Sequence, residues 1–162
     1  MPRSGDKMRL SEHFTLEELI YSYTATRKNI DNTPNSTQVQ NLRDLVVHVL
    51  QPIRHEYGKP ININSGFRSR GLNIAIGGSP TSDHVQGRAA DIRAASNKNL
   101  LYAILKLYKK KKIEFDQCII EFPVDDNPSW IHISYKKHGN RNQILQAKKN
   151  ETGDTEYTIV EV

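Results

Sequence analysis

The stretch Ser82-Asp83-His84-Val85-Gln86-Gly87-Arg88-Ala89-Ala90-Asp91 sets a histidine and an aspartate on either side of a glycine turn. Both are metal-ligand types, and Gly87 supplies a backbone conformation that lets the chain return as a strand carrying Asp91. A second histidine, His132, lies in Trp130-Ile131-His132-Ile133-Ser134, whose alternation is that of a half-buried strand. Structural zinc is normally closed by four Cys-rich ligands, whereas three N/O ligands leave a position open. The chain has one Cys. The open, catalytic type of zinc site is therefore the one these residues fit.

Strand parity tests this reading, because successive side chains of a strand point to opposite faces and ligands must share one. Asp91 shares its face with Ala89 and Arg93, and His132 shares its face with Trp130 and Ser134. In Gln117 to Phe122, Glu121 aligns with Ile119 and Gln117, opposite Cys118 and Ile120. In Ile61 to Asn64, the two asparagines alternate with the two isoleucines. One sheet accounts for all four patterns, with Asp91, Glu121, His132 and Asn64 on a polar, open face. The apolar face needs a cover of amphipathic helices. Val39, Leu42, Leu45, Val46, Val49 and Ile53 recur at helical spacing up to Gly58, with Pro52 expected to kink that helix. Leu100, Leu101, Ile104, Leu105 and Leu107 form a second apolar stripe, in a helix capped by Asn97. The fold class expected is α+β: a mostly antiparallel sheet, helices on one face and a zinc cleft on the other.

Shorter elements complete the chain. Thr15 and Glu18 read as a capping box, with Phe14 against Leu19 as a hydrophobic staple, opening a short helix to about Tyr23. Asp31 to Ser36 is a turn, Gly71 to Pro80 a glycine-bearing connection with one helical turn, and Tyr157 to Val162 an edge strand. With 162 residues the expectation is one domain over 1–162 that buries a core without disulfides. Cys118 reads as a small buried hydrophobe. Met1 to Leu10 has positive charge but no apolar run, so no secretory signal is expected, and no window reaches a membrane span. The formal charge of +5 favours an anionic partner such as a wall polymer, nucleic acid or an acidic membrane surface, but Lys109 to Lys112 contribute four of those charges and complement a helix C-terminus. His13, His48, His55 and His138 lie outside the motifs and read as surface or locally hydrogen-bonded residues.

Ser82-x-His84-x-x-Gly87-x-Ala89-x-Asp91 resembles the signature of the zinc D-alanyl-D-alanine carboxypeptidase family, which also includes D,D-dipeptidases, phage endolysin peptidases and the hedgehog signalling domain. Ser65-Gly66-Phe67-Arg68-Ser69, the run from Asn73 to Ser79 with Gly77-Gly78, and Trp130 to Ser134 carry the same resemblance. It spans residues 14–134 and is nearest to the compact phage or bacterial type. The resemblance implies that His84, Asp91 and His132 bind Zn²⁺, that Arg68 binds substrate beside the scissile bond with Arg70 as its competitor, and that the Ser82 hydroxyl meets substrate. Ser82 reads equally as a turn or cap residue. Trp130, by its parity with His132, lines the cleft or the core. Many members of the family carry the catalytic glutamate three residues before the second histidine. Here that position is Ser129. The hedgehog-like arrangement instead places the acid at the end of the preceding strand, which implies Glu121 as general base, with Asp125 and Asp126 as alternatives.

The resemblance implies a zinc metallopeptidase hydrolysing peptidoglycan peptides, as an endopeptidase or a D,D-carboxypeptidase. The alternative is a catalytically inactive zinc-bearing binding module, or a virion or structural component of the same fold. Peptidoglycan peptides are the expected partner, with no nucleic acid, no membrane insertion and a monomeric state. The expected location is cytoplasmic until release, in an endolysin-like role in cell wall degradation, or phage-associated.

Overall fold

A computed structural model describes residues 8–162. The sequence reading of Met1 to Leu10 as free of a secretory signal falls largely on residues 1–7 and lies outside those described. Among the described residues no helix is long and apolar enough to cross a membrane.

Six strands form one sheet: β1 (Asn62–Ser65), β2 (Ala89–Arg93), β3 (Gln117–Glu121), β4 (Trp130–Ser134), β5 (Gln143–Lys149) and β6 (Thr155–Ile159). Their spatial order is β1-β2-β4-β3-β5-β6. Every neighbouring pair is antiparallel except β3 with β5. The expected α+β architecture is therefore the one observed. Ala90, Ile92, Cys118, Ile120, Ile131, Ile133 and Ile144 bury one face of the sheet in the main core. Leu42, Leu45, Val46, Val49 and Ile53 meet them from one helical segment, and Leu100, Ile104 and Leu107 from the other. Each such side chain contributes about 1.5–3 kcal/mol when fully removed from water.

The helices are α1 (Leu16–Ile20), α2 (Tyr23–Arg27), α3 (Ser36–Leu45), α4 (Gln51–Tyr57), α5 (Arg70–Ala75) and α6 (Asn97–Lys109). The Thr15 hydroxyl caps α1 by accepting from the Glu18 N–H, and Phe14 and Leu19 are both buried. The expected helix to Tyr23 ends sooner, at Ile20; Ser22 then caps a separate α2. The break at Pro52 takes the form of a π-helical turn, Val46–Leu50, between α3 and α4. Proline has no N–H to close an ordinary turn and its ring crowds the carbonyl four residues back, so the chain widens to the longer bond from Gln51 N–H to the Val46 carbonyl. Ser96, one residue before the expected Asn97, caps α6. Asn97 instead donates to the Pro128 and Ser129 carbonyls, tying α6 to the β3–β4 loop.

Two further corrections concern the sheet. β5 is not anticipated by alternation, and β6 begins two residues before the expected edge strand. In β1, a bulge between Ile63 and Ser65 brings Ser65, not Asn64, opposite Asp91. Asn64 still reaches the open face, where its Oδ1 accepts from Arg93 Nε at 2.8 Å.

Candidate metal centre

Strand pairing draws a single transverse row across all six strands on the face away from the main core: Ser65, Asp91, His132, Ile119, Leu145 and Ile159. The row explains why Asp91 and His132 meet although they are far apart in the chain. His132 Nδ1 lies 3.0 Å from Asp91 Oδ1. His84 arrives from outside the sheet, on a 3₁₀ turn over Asp83–Gln86, with its Nε2 3.4 Å from the same Asp91 oxygen. The ligand atoms of His84, Asp91 and His132 all lie within 4.8 Å of one another. The two rings meet edge to face, their centroids 5.2 Å apart.

Local chemistry fixes this geometry. Ser82 caps the 3₁₀ turn through its Oγ, which accepts from the His84 N–H. Gly87 closes the turn in the left-handed region at φ +74°, and a Cβ there would press on the Gln38 carbonyl and Leu42. His84 is buried, and its Nδ1 lies 2.7 Å from the Gly66 carbonyl oxygen. A carbonyl only accepts, so Nδ1 carries the proton and Nε2 presents its lone pair to the cluster. Burial works to raise the Asp91 pKa, but when the His132 and His84 rings are protonated their hydrogen bonds and charge outweigh it and hold the carboxyl well below the usual range, and a metal cation takes the place of those protons. An ionised carboxylate and a lone pair of fixed direction are what a divalent N/O site requires. The donor set therefore fits zinc.

Arg68 sits behind Asp91. Its Nη2 lies 3.4 Å from Asp91 Oδ2, its Nε donates to Ser65 Oγ at 2.9 Å, and its Nη1 lies 3.4 Å from Asn73 Oδ1. Asn73 is buried and donates to the Ser79 carbonyl, so it links the arginine to the loop before Ser82. Arg70 is exposed on α5 and is not part of this network.

Glu121 ends β3 opposite Trp130, on the face that carries His132. It is buried, and its carboxyl is pushed up to about 7, first by burial and further by the charge of Asp91, with His132 opposing. The chain turns sharply after it. Phe122 has φ +44°, an uncommon value for a bulky residue, and its ring packs against Trp130 at 5.5 Å. Ser129 stabilises this strand end from both sides: its N–H donates to the Glu121 carbonyl and its Oγ to the Phe122 carbonyl. Asp125 and Asp126 form the exposed tip of a turn bridged by Val124 and Asn127, both with positive φ. That is the geometry of a type I′ turn, and it faces solvent.

A cleft of about 330 Å³ opens beside His132. Ser82, Gln117, Ile119, Leu145 and Tyr157 also line it. Trp130 is half-buried beside Glu121 and is not among its lining residues. Two larger hollows of about 550 and 490 Å³ lie at the β1 edge and the end of α6, and neither includes a residue of the cluster. Leu145 escaped the sequence reading together with β5, and Tyr157 enters that reading as the start of an edge strand, not as a residue of the site.

A second group, Glu12, His13 and His55, also brings ligand atoms within 4.8 Å. There Gln51 Oε1 accepts the His13 backbone N–H while its Nε2 lies 2.8 Å from His13 Nδ1. The amide must donate to Nδ1, which leaves the proton on Nε2, the ring atom facing Glu12. That tautomer turns an N–H, not a lone pair, towards Glu12 and so offers no ligand there.

A 48-residue stretch, 29% of this chain, is 50% identical to part of the zinc D-Ala-D-Ala carboxypeptidase of Streptomyces albus G and covers 19% of that protein. The model of a family described as peptidase M15 matches residues 12–134, the segment that holds His84, Asp91, His132, Glu121 and Arg68. The chain belongs to the peptidase M15 family.

Proposed function

We propose that this protein is a zinc peptidase that hydrolyses peptides of the bacterial cell wall, with His84, Asp91 and His132 as the metal ligands. The convergence of His84 Nε2, Asp91 Oδ1 and His132 Nδ1 on the open face of the sheet carries the reading. When bound, zinc supplies a Lewis acid that polarises a carbonyl and acidifies water.

The chain's own residues account for the rest of the chemistry. In hydrolysis the peptide C–N bond breaks, water adds its oxygen to the acyl carbon, and the amine leaves with a proton. Glu121 takes the proton of the attacking water and returns it to the amine. A carboxyl pushed up to about 7 is suited to both transfers near neutrality. Arg68, with Nε directed to Ser65 and its two terminal nitrogens beside Asn73 and Asp91, orients the carboxylate ligand and faces the substrate only at its margin. An arginine so committed supports an endopeptidase over an enzyme that grips a free terminal carboxylate. Ser82 lines the cleft that the substrate enters, while Trp130, packed on Phe122 beside Glu121, supports the strand end that carries the base.

The inactive-module reading rests on Ser129 standing where many relatives carry an acid. Glu121, buried on the ligand face with Ser129 bracing its strand end, supports the active reading over that alternative. Digesting purified peptidoglycan with the zinc-loaded protein and identifying the new termini by mass spectrometry tests the proposal. New termini that vanish with a chelator and return with zinc are expected. An intact polymer under both conditions sinks it.

A further inference from the structure

The cleft beside His132 is only partly built by the family segment. Its floor is made by Ile119 and Leu145, which belong to an apolar patch separate from the main core in which Ala147 is also buried and Phe122 packs against them. Leu145 and Ala147 belong to β5, beyond residue 134 where the family match ends. The register then sets Tyr157 of β6 beside Ala147, which itself lies beside Glu121. Ala147 is fully buried and small, so nothing bulky stands between the Tyr157 ring and the cleft that it lines. Tyr157 is 57% exposed on the edge strand, so one face of its ring is open to a ligand in the cleft that it lines.

We infer that the β5–β6 hairpin completes a substrate subsite on the His132 side of the centre, in which Ile119 and Leu145 receive a short apolar side chain of an extended peptide and Tyr157 forms the outer wall. The inference rests on the peptidase reading and adds the residue that sets substrate preference. A ring held by its backbone at the sheet edge offers contact area at low entropic cost, and a phenolic hydroxyl can exchange a hydrogen bond with a peptide amide. Gln117 and Ser82 supply polar lining to the same cleft. Tyr157 is assigned to binding, not to the proton transfer, so its loss acts on KM and leaves kcat largely intact.

The test compares the zinc-loaded wild-type protein with Tyr157→Ala, Tyr157→Phe and, as control, Thr158→Ala, whose side chain lies on the other face of the same strand. KM and kcat are measured on a synthetic wall pentapeptide ending in D-Ala-D-Ala, and its equilibrium binding on the Glu121→Gln background of each. Expected is a rise of about tenfold in KM and in the dissociation constant for Tyr157→Ala, a smaller rise for Tyr157→Phe, and no change for Thr158→Ala. Zinc content and far-ultraviolet circular dichroism stay as in the wild type. Unchanged KM and binding in a folded Tyr157→Ala overturn the subsite alone. If Tyr157→Ala does not fold, unchanged binding by Tyr157→Phe overturns the role of the hydroxyl, and a normal response to peptides enlarged at the apolar side chain overturns the pocket. A wild-type protein that digests peptidoglycan but does not bind the pentapeptide overturns the subsite alone, and one that does neither overturns the peptidase reading and the subsite with it.

Discussion

His84 Nδ1 lies 2.7 Å from the carbonyl oxygen of Gly66, and this contact directs the other ring nitrogen into the ligand cluster. Gly66 has no room for a side chain, because a Cβ there would overlap the Leu19 carbonyl oxygen of α1. Phe67 N–H donates to that same carbonyl, so helix and β1 end are clasped against each other. The glycine in Ser65-Gly66-Phe67-Arg68-Ser69 is thus a demand of packing that holds a ligand's tautomer.

Gly66→Ala is accordingly expected to cost about 1–3 kcal/mol of stability through overpacking. It should also weaken zinc binding by about 10- to 100-fold, the usual effect of disturbing a partner behind a ligand. His132→Ala should abolish stoichiometric zinc while the helices stay folded. Competition with a chromophoric chelator reads both variants. Wild-type zinc affinity in Gly66→Ala would show that the carbonyl does not set the ring.

Glu121→Gln keeps the shape of the side chain and removes its capacity to accept a proton. Zinc content should be unchanged, while turnover falls by about 10² to 10⁴. Elemental analysis and initial rates on the same preparations check this. Near-normal turnover in Glu121→Gln together with loss in Asp125→Asn or Asp126→Asn would move the base to the exposed turn.

Asp116 precedes β3 and is fully buried, with Arg141 donating to both of its oxygens and Lys136 at 3.4 Å. The Arg141 hydrogen bonds outweigh burial and hold its carboxyl at about 2. Because the folded value lies below the unfolded one, this stabilisation is fully present above pH about 4 and is lost as pH falls from there towards 2. Asp116→Asn should lower stability at neutral pH by about 1–3 kcal/mol and flatten the acid limb of a stability–pH curve. A variant with the wild-type acid limb would assign that limb to other carboxyls.

Cys118 is the second residue of β3 and fully buried, and burial pushes its thiol up to about 12. A thiol reagent should leave the native protein unlabelled and label it fully in denaturant, with the native rate tracking global unfolding. Rapid native labelling would mean that β3 opens locally.

Asp91, His132 and Glu121 reach a common face by simple alternation, because each sits on a strand with one face in the main core and one open. That asymmetry writes a period of two into the sequence. β5 lacks it. Ile144 enters the main core and Leu145 the small patch beneath the cleft, so both faces are apolar at the centre, while Gln143, Gln146, Lys148 and Lys149 make the run look like a loop. Asn64 shows a different limit, since a single inserted residue reverses all parity beyond it and no pattern in Ile61-Asn62-Ile63-Asn64 announces a bulge. The network behind Asp91 was legible only as a motif: Arg68 and Asn73 stand out in the sequence, but their joint hold on the ligand and on the Ser79 loop depends on the tertiary path of α5.

That network sets the last prediction. An arginine that grips a terminal carboxylate does so with a planar fork that lysine cannot reproduce, so Arg68→Lys in a carboxypeptidase would penalise free-ended wall peptides far more than amidated ones. Here the fork already faces Asp91, Asn73 and Ser65. With zinc saturating, to remove any effect on metal affinity, Arg68→Lys is expected to lower kcat/KM for free-ended and amidated peptides by similar factors, and the wild-type protein should cleave both. Matched rates on one pair of peptides measure this directly. A strong preference of the wild-type protein for the free-ended peptide, lost in Arg68→Lys, would release Arg68 from its place behind Asp91 and make the protein a carboxypeptidase.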